Sequence, residues 1–224
     1  MNNFFLTQVS QIDESLYLAS LFATNRDNIR KYGIDCVITV CKEAKRLDFG
    51  PNVERVRLNI VDSKSESLIE HFDAIADKIR DVKSSESKCL VHCVGGVSRS
   101  PTMIMAYLMK HERMSLRDAF CLVRSKRKYA KPNVGFWHQL IDYERRLFDG
   151  ASTVRMIEQN GVEEADIFVQ QPVGSLKDKV TVRLFTLYSI VSSRMQEEKR
   201  RKSEEEEVEK RRKQFTENRI VKQE

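Results

Sequence analysis

Leu90–Thr102 reads LVHCVGGVSRSPT, and the layout of the chain follows from it in both directions. The apolar run Cys89 to Val91 leads in. Pro101 and then Met103-Ile104-Met105-Ala106-Tyr107-Leu108-Met109 lead out. A short apolar run ending near two glycines predicts a buried strand and a tight turn, and proline is tolerated in the first turn of the helix that follows. In that arrangement the six successive backbone N–H groups of Val94 to Arg99 curl around one point at the positive end of a helix. Such a nest suits a tetrahedral dianion.

The side chains in the turn add chemistry to that geometry. A sulfur at the centre of the nest is held as thiolate, which makes Cys93 the natural nucleophile. The planar fork of Arg99 grips two phosphoryl oxygens at once, which a lysine does not copy. A lone cysteine beside an apolar strand is commonly core filler. Cysteine, Gly95, Gly96 and Arg99 at this spacing, between a strand and a helix, are far more specific. The combination implies cysteine-based hydrolysis of a phosphate ester.

Working outward, Val9 to Leu18 alternates around Asp13-Glu14-Ser15 and predicts two short strands with a turn. Thr24 is placed to cap a short helix through Tyr32, which Gly33 ends. Cys36–Val40 is β-branched and apolar, a buried strand. From Arg55 to Val61 the pattern alternates, with Val56, Leu58 and Ile60 on one face and Arg55, Arg57 and Asn59 on the other. A polar loop, Asp62 to Glu66, follows. Ser67 and Glu70 then have the spacing of a capping box for a helix carrying Leu68, Phe72, Ile75, Ala76 and Ile79. Ser115 with Asp118, and Asn133, predict two more helix starts, and Gly150 the last stop.

Strands interleaved with helices predict an α/β three-layer sandwich, a mostly parallel central sheet flanked by helices, with the ligand beyond the carboxyl ends of the strands. Residues 1–150 read as one catalytic domain, 151–193 as a poorly patterned extension and 194–224 as a charged tail, helical or disordered. Val180–Val191 is apolar but too short to span a bilayer.

Composition narrows the class. The chain has 224 residues, 41% of them hydrophobic, enough for one ordinary domain plus an appendage. Its five cysteines form no CxxC or CxxH pair, which argues against zinc and for a reducing cytosol rather than a disulfide framework. Cys89 could in principle form a disulfide with Cys93, but four residues apart on a strand argues against it, and core filler is the better reading. Although the net charge is +6, 33 acidic residues offset 39 basic ones, so no uniform nucleic-acid surface follows. The opening residues have neither a basic run nor a long apolar core, so no leader is expected. KRRK occurs at Lys199–Lys202 and again at Lys210–Lys213. It fits a two-part nuclear import signal or a docking helix, and equally a solvated charged tail.

HCVGGVSRSPT resembles the HCxxGxxRS signature of the dual-specificity branch of the protein tyrosine phosphatase superfamily. Pro132–Phe148, PNVGFWHQLIDYERRLF, is similar to the segment that closes the small atypical members. The likeness covers residues 11–150 firmly and 151–170 loosely. One departure is Gly95, where the family often has alanine.

The resemblance implies a phosphatase acting on phosphotyrosine and on phosphoserine or phosphothreonine in proteins, through a phosphocysteine and without a metal or cofactor. Asp62, where a strand gives way to a polar loop, is the match for the general acid; Asp48 and Asp73 are the weaker carboxylates. Ser100 matches the hydroxyl that stabilises the departing thiolate, although a plain helix-start serine looks the same. Val94, Gly95, Gly96, Val97, Ser98 and Arg99 form the phosphate loop, with His92, Ser98 and Asn133 as its braces. A buried, satisfied histidine would be indistinguishable from a bracing His92. MAP-kinase pathway members are the partners the family implies, in the cytoplasm and, through KRRK, the nucleus.

Three other readings compete: a non-catalytic phosphate-binding scaffold, a sulfur-transfer enzyme, and a phosphatase directed at RNA triphosphate ends.

Overall fold

Every residue of the runs Leu16–Ser20, Cys36–Val40 and Cys89–Cys93 is buried, because each is an interior strand covered on both faces. The computed structural model describes residues 4–44, 47–159 and 161–168. Its elements run α1 (Phe4–Thr7), β1 (Ser10–Gln11), β2 (Leu16–Ser20), α2 (Arg26–Tyr32), β3 (Cys36–Val40), β4 (Glu54–Leu58), α3 (Phe72–Ser84), β5 (Cys89–Cys93), α4 (Arg99–Lys110), α5 (Leu116–Lys126), α6 (Val134–Leu147), β6 (Met156–Gln159) and β7 (Val162–Ala165). Strand order in the main sheet is β1-β2-β5-β3-β4, parallel except for β1.

This is the expected α/β sandwich, with unequal outer layers. Leu16, Leu18, Ile38, Val40 and Val91 face α3 to α6, meeting Phe72, Ile79, Met103 and Trp137. Tyr17, Val37 and Leu90 face a smaller layer built from Ile29 of α2, Ile34 and Phe49. Helix α4 is buried from Arg99 to Met109, which is why its sequence shows no polar stripe. The register sets Ser20 against Cys93 and Thr39 against His92, so the carboxyl end of β5 is flanked by those of its two neighbours.

Local readings fared unevenly. Asp13 turns the β1–β2 hairpin by accepting from the N–H groups of Ser15 (2.9 Å) and Leu16 (2.8 Å). Ser115 and Asn133 cap α5 and α6 as read. The cap of α2 is Asn25 rather than Thr24, whose hydroxyl donates back to Ser20 O at 2.7 Å. The Ser67–Glu70 capping box does not form. A 3-10 turn over Ile69–His71 precedes α3, and the N–H groups of Leu68 and Ile69 donate to Gln139 Oε1 at 2.7 and 2.9 Å. A side chain from α6 has outcompeted the local cap.

The packed unit also continues past Gly150. β6 and β7 form an antiparallel hairpin, Val154 and Ala165 are buried in the main core, and the Phe168 ring meets Phe120 and Trp137 edge-on at 5.2 and 5.8 Å. Strands of four residues are too short for a period to declare itself in sequence. Val180–Val191 and both KRRK runs lie outside the described residues. Among the described residues, no helix is long and apolar enough to cross a membrane.

Buried Glu144 fastens this extension. Its Oε1 accepts from Leu116 N–H (2.7 Å) and Thr153 Oγ1 (2.8 Å), and its Oε2 from Ser152 Oγ (2.7 Å) and Thr153 N–H (2.8 Å). Glu144→Ala strands these donors and is expected to lower the unfolding free energy by about 3 kcal/mol. Glu144→Gln should cost about 1 kcal/mol, because the amide oxygen still accepts. Urea unfolding of the three proteins checks both values.

Candidate active site

β5 ends at Cys93, the chain turns through Val94–Ser98, and α4 begins at Arg99. Gly96 has φ +65°, and a Cβ there would stand 2.6 Å from Ala19 O and 2.8 Å from Arg127 Nη2, so only glycine fits. Six consecutive carbonyls, Cys93 to Ser98, are all bound from outside the turn. Cys93 O lies 3.2 Å from His92 Nδ1, and Val94 O accepts from Leu21 N–H at 3.0 Å. Arg127 donates to Gly95 O from Nη2 (2.9 Å) and to Gly96 O from Nε (2.7 Å). Val97 O takes Lys131 N–H at 2.7 Å, and Ser98 O takes Thr102 N–H (3.1 Å) and Oγ1 (2.8 Å). In a trans peptide the next N–H points opposite to the carbonyl. Fixing six carbonyls outward therefore turns the amides of Val94 to Arg99 inward.

Cys93 Sγ accepts from Gly96 N–H and from Ser100 Oγ, each at 3.2 Å. Two donors and a helix start suit a charged sulfur. Arg99 is buried, and its Nη1 donates to Glu43 Oε2 (2.7 Å) and Ile60 O (2.9 Å). Its Nε faces Asp62 Oδ2 at 3.6 Å. Asp62 Oδ1 accepts from Ser98 Oγ (2.8 Å) and Asn133 Nδ2 (2.9 Å), while Asn133 Oδ1 caps α6 through Phe136 N–H (3.0 Å). Cys93, Arg99, Asp62, Ser100, Ser98, His92 and Asn133 thus meet at the carboxyl end of β5.

Asp48 and Asp73 do not join them. Asp48 is exposed and paired with Arg26 and Arg55, and Asp73 binds Lys110 and Tyr143 from α3. Cys89 lies opposite Cys36 in the sheet. Hydrogen bonding with Cys36, then burial, holds the Cys89 thiol well above its usual range, as befits a core residue. His92 lies 2.8 Å from Thr39 Oγ1 through Nε2. Burial foremost, then the charges of Arg57 and Arg99, pushes the imidazole down to about 4 against the Cys93 carbonyl bond. The ring is neutral, donating from Nδ1 and accepting at Nε2, and braces the loop.

Two residues at the site gave no warning in sequence. Glu43 fixes Arg99, yet it sits in a loop with no motif. Arg127 looks like one more cation in RSKRKY; only its burial, which pushes the guanidinium down to about 10, marks it out. Among the described residues, no group of three or more His, Cys, Asp or Glu side chains is placed to hold a metal ion.

Comparison with known proteins places this geometry. Residues 16–146 match the family model described as dual specificity phosphatase, catalytic domain. Human dual specificity protein phosphatase 14 is 41% identical over 151 residues, covering 67% of this chain and 75% of that protein. Human dual specificity protein phosphatase 18 is 37% identical over 171 residues, covering 76% and 84%. The crystal structure of human DUSP28 superposes with a TM-score of 0.59 and 31% identity, over 62% of this chain and 94% of that one.

The neutral His92 makes stability pH-dependent. Its ordinary value is 6.5 and its folded value about 4, so the unfolded state binds more protons between the two. Stability is therefore expected to fall as pH drops through that window, by roughly 3 kcal/mol in full. Urea unfolding from pH 7 to pH 4 should show the slope in the wild type and lose this contribution in His92→Asn.

Proposed function

This chain belongs to the dual-specificity phosphatase family, and from that membership we propose a two-step hydrolysis of phosphorylated protein side chains through Cys93. The observation that carries it is the Cys93 sulfur held by Gly96 N–H and Ser100 Oγ inside a ring of amides, with Asp62 and Arg99 at the same mouth. The phosphoryl dianion of phosphotyrosine, phosphoserine or phosphothreonine enters the nest. Inward amides and the Arg99 guanidinium, oriented by Glu43, take its oxygens.

The thiolate attacks phosphorus in line, forming a P–S bond as the ester P–O bond breaks. Protonated Asp62 gives its proton to the leaving side-chain oxygen. In the second step Asp62, now a carboxylate, takes a proton from water as that water attacks phosphorus. The P–S bond breaks, inorganic phosphate forms, and the sulfur departs as thiolate under the Ser100 hydroxyl.

Val94, Val97 and Ser98 bring no lysine into the loop, which favours phosphoprotein over phosphoinositide. We infer MAP-kinase pathway members as substrates from the family resemblance, and the two KRRK runs fit a cytoplasmic enzyme that also enters the nucleus. Neither the scaffold nor the RNA-directed reading is favoured, since Cys93 and Asp62 are both present and the matched relatives include dual specificity protein phosphatases 14 and 18.

Turnover of an aryl phosphate and of phosphopeptides, with chelator present, tests the scheme. Cys93→Ser should abolish it, and Arg99→Lys should lower kcat/KM roughly 10²–10³-fold. Asp62→Ala should cost about 10²-fold on phosphopeptides and less on activated aryl esters. Full activity in Cys93→Ser, or turnover that needs metal, would overturn it. Deleting Lys199–Lys213 should deplete the protein from nuclei in fluorescence imaging; unchanged entry would dismiss the import signal.

A further inference from the structure

The loop that carries Asp62 has short-range bonds of its own, among them Ser63 Oγ with Ser65 Oγ (3.0 Å) and Ser65 N–H to Ser63 Oγ (3.4 Å), but it also leans on α6. Within it run the backbone bonds Ser63 N–H to Val61 O (3.0 Å) and Glu66 N–H to Ser63 O (3.2 Å). Asn133, at the start of α6, donates to Asp62 Oδ1. Gly135 in the first turn lies so close under Lys64 that a Cβ there would collide with the Lys64 carbonyl. Gln139, one turn further, spends both halves of its amide on the far end of the loop. Its Oε1 accepts from Leu68 N–H (2.7 Å) and Ile69 N–H (2.9 Å), and its Nε2 donates to Glu66 O at 2.8 Å. The loop is thus held at both ends by one helix.

We propose that Gln139 is a positioning residue for proton transfer: by clamping Glu66, Leu68 and Ile69 it sets where the Asp62 carboxyl stands above Cys93. This rests on Asp62 being the general acid. The near end of the loop has Ser98 and Asn133 to hold it, but those bonds fix the carboxyl only if the backbone beneath keeps its place. Gln139 touches neither the sulfur nor Arg99, so its loss bears on the leaving oxygen and leaves phosphate capture intact. It is also beyond any local pattern, since it reaches the loop from α6 across a long separation in sequence.

Leaving-group dependence tests this. The probes are phenyl phosphate, whose departing oxygen needs a proton, and p-nitrophenyl phosphate, whose departing oxygen needs one less. Asp62→Asn should lower kcat far more for phenyl than for p-nitrophenyl phosphate. Gln139→Ala should move the ratio the same way, roughly tenfold for phenyl against about twofold for p-nitrophenyl phosphate. Gln139→Glu keeps the acceptor for Leu68 and Ile69 but loses the donor to Glu66 O, and should recover only part of the ratio. In the double variant, Gln139→Ala should shift the ratio no further than Asp62→Asn alone. Gly135→Ala displaces the same loop by another route and should reproduce the signature should Gln139→Ala fail to fold.

Equal losses on both esters in Gln139→Ala, or a further shift of the ratio in the double variant, would overturn the proposal. An unchanged ratio in Asp62→Asn is a separate result: it would remove the acid assignment itself.

Discussion

The structure depends on which way six peptide planes face. A run of amides pointing at one centre is unfavourable when empty, because like dipole ends converge, and nothing within Val94–Ser98 opposes it. The restraint is external. Carbonyls from Cys93 to Ser98 are held by His92, by Leu21 after β2, by Arg127 beyond α5, by Lys131 before α6, and by Thr102 of α4. The strands and helices around the turn therefore serve as its frame, and the nest exists only when the fold is complete. Preorganised dipoles of this kind need no reorientation when charge arrives, which is how such sites lower a barrier.

Two buried guanidiniums divide the electrostatic labour. Arg99 stands at the mouth, with Nη1 fixed by Glu43 and Ile60 O. Arg127 stands behind the loop, with donors on the carbonyls of Gln8, Gly95 and Gly96 and on Ser10 Oγ. Burying charge is costly unless it is paired or hydrogen-bonded, and both residues are. The cost is borne by the core on the helical face, where α4 runs buried almost from end to end.

Much of this was legible in the chain. A glycine turn between an apolar strand and a proline-started helix is a local pattern, so Cys93, Gly96 and Arg99 could be read directly, and Asp62 and Ser100 with the help of family likeness. Glu43, Arg127 and Gln139 are different. Each is a common polar residue whose meaning comes only from what the fold sets beside it, from 31 to 73 residues away in sequence. The capping box fails in the same region: Ser67 and Glu70 have the right spacing, but the chain there turns as a 3-10 segment whose Leu68 and Ile69 N–H groups are bound by Gln139. Thr24 lost its cap to Asn25 by one residue, the ordinary limit of such boundaries. The hairpin after Gly150 was hidden because its strands are short and its anchors, Val154, Ala165 and Phe168, fall at no regular period.

Arg127 also reaches the amino-terminal segment, where Ser10 Oγ lies 3.4 Å from its Nη1. Its Nη1 donates to Gln8 O at 3.1 Å, just ahead of β1, while its other nitrogens hold the glycine carbonyls. One side chain thus rivets the amino-terminal segment to the back of the catalytic turn. Loss of the Gln8 bond would therefore leave the guanidinium fewer restraints behind the turn. Residues that make no approach to substrate consequently share in the rigidity on which its capture depends.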